Sequence, residues 1–162
     1  MSYRNKTYII FDADMDIRYY RLMMAWKENT HIEFDFHNAH IYNNLTPSAS
    51  EEQIKKKLRE RMSNTKQVIV LVGEKTRYLY KYVRWEIEAA QKMDLPIIAV
   101  NLDNANNFTE KTPPILRASY YVSVPFEVKK IKYALDKFPS EYHKNKNQAP
   151  SDRYYNWARI EL

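Results

Sequence analysis

Three short runs of unbroken apolar residues constrain this chain more than any other feature: Tyr8-Ile9-Ile10-Phe11, Val68-Ile69-Val70-Leu71-Val72 and Ile97-Ile98-Ala99-Val100. Such runs suit strands covered on both faces, the condition of a parallel sheet held between two helical layers. The segments between them change period. Residues 16–29 put Ile17, Tyr20 and Met24 beside Tyr19, Met23 and Trp26 on a broad helical face, with Asp16 as N-cap. Ser50 and Gln53 form a capping box ahead of a helix whose apolar stripe is Ile54, Leu58 and Met62. Residues 81–93 carry Val83, Ile87 and Ala90 on one face before Asp94-Leu95-Pro96 ends the helix, and residues 126–138 carry Val128, Ile131 and Leu135.

Two further strands complete the set. Residues 31–36 alternate Ile32, Phe34 and Phe36 against Glu33 and Asp35, the pattern of a half-exposed edge strand, and residues 120–124 are apolar enough for a short one. Five strands alternating with four helices predict a doubly wound α/β fold of the flavodoxin-like, three-layer kind, with a mainly parallel five-stranded sheet in the order 2-1-3-4-5. The α/β domain is expected over residues 1–138. Residues 139–162 are expected to hold a linker around residues 143–153 and an aromatic tail, Tyr154 to Ile160, that packs back on the body. Ligands of such sheets bind beyond the strand carboxyl ends at the switch point. Here that means residues 11–16, the polar loop of residues 37–50, and the start of the helix after Gly73.

Composition narrows the chemistry. Gly73 is the single glycine among 162 residues, so neither G-x-G-x-x-G nor a P-loop can be built, and turns must use Asn, Asp and Pro. With no cysteine there is no disulfide, thiolate nucleophile or Cys-held metal. The four histidines, 31, 37, 40 and 143, show no ligand spacing, so no metal is expected, and no G-x-S-x-G elbow is present. No run of about 18 apolar residues exists, and the first apolar stretch is too short for a signal peptide core, so a cytoplasmic protein is expected, with no membrane partner. The net charge of +6 is spread among interleaved acids without a recognition motif, so nucleic acid is not an expected partner. Lys55, Lys56, Lys57, Arg59 and Arg61 on the second helix read as a solvated face rather than an anion-binding patch.

Two constellations carry chemistry. Asp12, Asp14 and Asp16 fail as a calcium loop, because Ile17 stands where the glycine is needed and Met23 where the glutamate is needed. They match in part a Mg²⁺-dependent phosphotransferase whose first Asp is the nucleophile and second the acid/base, although no later acidic pair accompanies them; equally, Asp12 and Asp14 shape a turn and Asp16 caps a helix. The second constellation is Tyr82 and Glu86, one helical turn apart near the ligand-facing end of the helix. An aromatic plate beside a carboxylate can stack a flat heterocycle, hold ribose hydroxyls and offset positive charge at an anomeric carbon. The plainer alternative is Glu86 paired with Arg84 or Lys81 in solvent.

The succession Ile10-Phe11-Asp12-Ala13-Asp14-Met15-Asp16, a helix with Trp26, Phe34-Asp35-Phe36, Val68 to Gly73 with Thr76, Tyr82-Val83-Arg84-Trp85-Glu86-Ile87 and Pro96 to Val100 resembles the TIR-like family of the bacterial Thoeris antiphage systems over residues 7–137. The resemblance implies a TIR-like domain that cleaves NAD⁺ at the nicotinamide–ribose bond and releases an ADP-ribose isomer, usually cyclised, as a signal to a separate effector. NAD⁺ is then a substrate, with no cofactor. It implies Glu86 as the catalytic residue, Tyr82 in place of a common stacking tryptophan, and Phe11, Asp12, Ala13 and Asp14 lining the nucleotide site. Asn38 and His40, in the loop after the second strand, are implied as substrate contacts, and self-association and a phage-derived trigger as partners. Phe11-Asp12 departs from the serine common in the family after the first strand, and a non-enzymatic interaction module is the alternative.

Overall fold

The computed structural model describes residues 7–28 and 50–162. The strand expected at residues 31–36 and the loop carrying Asn38 and His40 lie outside the described residues. Among the described residues five parallel strands, β1 (Thr7–Ile10), β2 (Gln67–Val72), β3 (Ile97–Asn101), β4 (Tyr120–Pro125) and β5 (Ser151–Tyr154), lie side by side in sequence order. The helices are α1 (Ile17–Glu28), α2 (Glu51–Arg61), α3 (Tyr82–Lys92) and α4 (Val128–Asn145). Among the described residues none is long and apolar enough to cross a membrane.

Each apolar run serves two cores, because successive side chains of a strand point to opposite faces. Ile9, Phe11, Ile69, Leu71, Ile98 and Val100 pack with α1 and α4 residues such as Met23, Ile131, Leu135 and Phe138. Tyr8, Ile10, Val68, Val70, Val72, Ile97 and Ala99 pack on the other side with Met62, Val83, Ile87 and Ala90. The result is the three-layer α/β arrangement expected, with β1, β2, β3 and β4 neighbouring one another as the flavodoxin-like order requires and β5 added beside β4.

Two elements differ from expectation. The last helix, expected to stop at Phe138, runs through Pro139 to Asn145. Its final turns are drawn in by the buried ring of Tyr142, whose hydroxyl donates to Asp94 Oδ1 at 2.8 Å, and by Lys146, which bonds the other oxygen. These contacts offset the backbone bond that proline forfeits. Residues 151–154, expected as the end of a linker and the first residue of the tail, form the edge strand β5. They are polar and partly exposed, and Asp152 ties them down by accepting from Arg117 at 2.9–3.2 Å and from Tyr121. The tail beyond lies against the body: Tyr155 donates to Glu141 Oε2 at 3.1 Å, and the Trp157 ring meets Tyr133 edge-on with centroids 5.6 Å apart.

The single glycine is used for space. Among the described residues the left-handed backbone positions belong to Asp94 (φ 59°) and Asn104 (φ 65°), while Gly73 has no positive φ. A Cβ at Gly73 would lie 2.2 Å from Asp16 Oδ2 and 2.8 Å from its Cγ. The Asp16 side chain at the head of α1 therefore rests on the bare Cα that ends β2, stitching the first two loops of the sheet together. Gly73→Ala should cost about 1–3 kcal/mol of stability by overpacking, read as a lower urea midpoint; an unchanged midpoint would show that the Asp16 contact can relax freely.

Candidate active site

Two loops at the carboxyl ends of β1 and β2 build the site. After β1, Asp12 is buried and its Oδ1 accepts from the backbone N–H of Asp14 (3.1 Å) and Met15 (3.3 Å), an Asx turn that folds residues 12–15 over the strand end. After β2, the buried Thr76 hydroxyl accepts from Gly73 N–H at 2.9 Å and donates to Leu71 O at 3.2 Å, closing the turn that leads to α3. Between the loops lies a cleft of about 530 Å³.

The cleft gathers Phe11, Asp12, Ala13, Asp14, Tyr82 and Glu86. Their situations differ. Phe11 is largely core, stacked on Tyr20 with centroids 4.8 Å apart and planes 9° off parallel. Ala13 and Asp14 are exposed on the lip, and Tyr82 is 51% exposed at the mouth, edge-on to Trp85 at 5.8 Å. Asn38 and His40 fall outside the described residues.

Glu86 is 2% exposed, on the second turn of α3, so the solvent pairing with Arg84 or Lys81 is not what forms. Arg84 instead bonds Glu88 at 2.9 Å, on the outer face of the helix. Glu86 Oε2 accepts from the Tyr8 hydroxyl at 2.5 Å, the short distance of a charge-assisted O–H···O⁻ bond. Burial, with the neighbouring Glu86 charge and that hydrogen bond, pushes the Tyr8 phenol far above the ordinary tyrosine range. It remains a donor at any physiological pH. Arg61 also lines the cleft; burial pulls its guanidinium down, opposed by the negative charge of Glu86.

Arg61, Tyr8 and the rim tyrosines Tyr78 and Tyr80 are the site features that the sequence reading passed over. A signal for Arg61 was present: it stands seven residues after Ile54 and three after Leu58, on the apolar stripe itself. Tyr8 was visible only as part of a buried run, although a buried phenol needs a hydrogen-bond partner. The aspartates separate by role. Asp12 is spent on its turn, and among the described residues no group of three or more His, Asp or Glu side chains converges as a metal-binding set would.

The family model described as Thoeris protein ThsB, TIR-like domain, matches residues 8–107, which include both loops of the cleft, Tyr82 and Glu86. The chain belongs to this TIR-like family. Among solved structures, a CMP N-glycosidase of Clostridium botulinum, BcmB, is similar at 14% identity and a TM-score of 0.47, over 81% of this chain and 97% of that one. No curated protein matches. The matched segment ends before β4, α4 and β5.

Asp16 carries a cost that pH can reveal. Its carboxyl is buried with Oδ2 unpartnered, and it is raised above the usual range by burial first, then by Asp12 and Glu74, with Arg18 opposing. A group easier to protonate folded than unfolded penalises the fold when charged, and the penalty is lost as pH falls below its unfolded value. Asp16→Asn should raise the thermal midpoint at pH 7, with the gain shrinking as pH is lowered toward about 4; a midpoint equal to or below wild type at pH 7 would contradict this.

Proposed function

We propose that this chain is an NAD⁺ nucleosidase that breaks the nicotinamide–ribose bond and passes on an ADP-ribose-derived product, cyclic in the usual case, as a signal. The observation that carries the reading is the Glu86 carboxylate, buried at the floor of a cleft whose mouth is lined by Tyr82. A buried charge in a water-poor site is far more effective than one in solvent at stabilising a developing cation. Nicotinamide is bound to ribose as a pyridinium. When the C1′–N bond breaks, its electron pair leaves with the ring, which becomes neutral, and positive charge passes to the ribosyl C1′ and ring oxygen. That step needs no general acid for the leaving group. Glu86 offsets the charge at C1′, and water or an adenine nitrogen then attacks it, losing a proton when the nucleophile is water.

Positioning falls to the aromatic and cationic lining. Tyr82 offers a face for a flat ring, and the Asx turn of residues 12–15 forms the opposite lip. Phosphate held by Arg61 or Lys81 would replace the glycine-loop cradle that this composition excludes. On this reading the protein acts in the cytoplasm, is switched on by a phage component or by self-association, and reaches a separate effector through its product. Family membership supports the defence setting.

Nicotinamide release from NAD⁺ should be at least about 100-fold slower in Glu86→Gln, on the scale seen when one charge-stabilising group is lost; turnover equal to wild type would refute the role of Glu86. Tyr82→Phe should stay within about threefold of wild type, and Tyr82→Ala should raise KM about tenfold by removing a stacking face. Equal KM values in these two variants would remove Tyr82 from substrate binding.

A further inference from the structure

A phenol buried on a strand covered on both faces is costly unless its hydroxyl is paired. Tyr8 is fully buried in β1, between Thr7 and Ile9, and its ring belongs to the core shared with Val83, Ile87 and Ala90. The parity of β1 aims it at α3, away from the Phe11 face. Its hydroxyl ends 2.5 Å from Glu86 Oε2, across 78 residues of sequence. Glu86 lines the cleft, whereas Tyr8 does not.

We propose that Tyr8 is the positioning residue for Glu86: from behind the cleft wall, its hydroxyl holds one carboxylate oxygen so that the side chain stays aimed into the cleft. This deepens the reading of Glu86 as the charge that meets C1′ and rests on it. The device suits its place. β1 and α3 are rigid elements joined through packed core, so the donor cannot drift, and a carboxylate on a flexible side chain gains one anchored oxygen. Tyr8 touches no substrate and takes part in no proton transfer; it acts through Glu86 alone. A purely space-filling residue would be served equally well by phenylalanine, which has no hydroxyl to bury.

The test compares wild type, Tyr8→Phe, Glu86→Gln and the double variant for nicotinamide release from NAD⁺, as purified protein and in extracts of phage-challenged cells. Tyr8→Phe should lower kcat roughly 10–100-fold, the cost of slight misplacement of a catalytic group, with KM within about twofold and the far-UV circular dichroism of wild type. Adding Tyr8→Phe to Glu86→Gln should slow the residual reaction no further, because both changes remove one unit. In parallel, protein carrying ¹³Cζ-labelled tyrosine should show the Tyr8 resonance move on Glu86→Gln. An unchanged kcat in Tyr8→Phe, an additive loss in the double variant, or a Tyr8 resonance indifferent to Glu86→Gln overturns the proposal alone. Wild type that releases no nicotinamide in either setting overturns the NAD⁺ reading, and the positioning role with it.

Discussion

The sheet is covered on both faces from β1 to β4, and the rest of the molecule follows from that constraint. A strand with no solvent side must supply apolar residues at most positions, and each neighbour pair must point to opposite cores. Ile9 and Phe11 go to the α1 and α4 layer, and Tyr8 and Ile10 to the layer of α3. A one-residue slip of β1 would send Tyr8 to the wrong layer. The register of Tyr8 against Val68 and of Val68 against Ile97 is therefore also what puts a hydroxyl under Glu86.

The cleft is made where two of these strands run out. Its shape depends on small, specific devices rather than on glycine flexibility: the Asp12 Asx turn, the Thr76 hydroxyl bridging Leu71 and Gly73, and the close approach of Asp16 to Gly73. Asp16 is the strained member. A carboxyl buried without a partner for one oxygen, beside Asp12 and Glu74, is kept at a cost to the fold. It is the contact that joins the β1 loop to the β2 loop, and both loops line the cleft.

Much of this was legible in the chain itself. The continuous apolar runs became β1, β2 and β3, and the capping box of Ser50 and Gln53 closes as expected, at 2.9 and 3.2 Å. Tyr82 and Glu86 share a cleft because residues four apart on a helix share a face. What escaped has a physical reason in each case. β5 has no apolar signature because it is an edge strand held by Asp152 rather than by burial, and α4 outlasts Pro139 through long-range bonds from Tyr142 and Lys146 to Asp94. Arg61 was hidden among four basic neighbours whose charges carry no period, and the partner of Tyr8 lies 78 residues away, beyond any local pattern.

A chain of the TIR-like family thus keeps a buried carboxylate at the floor of an aromatic-mouthed cleft, with a hydroxyl behind it and a guanidinium nearby. That arrangement fits a reaction whose barrier is a ribosyl cation and whose leaving group is cationic while bound and departs neutral. The most direct measurement is the structure of Glu86→Gln with NAD⁺ bound. The account predicts the ribose C1′ of the nicotinamide half within about 3.5 Å of the residue 86 side chain, a near-attack distance. NAD⁺ bound with that ribose turned to solvent, or seated away from the cleft, would contradict it.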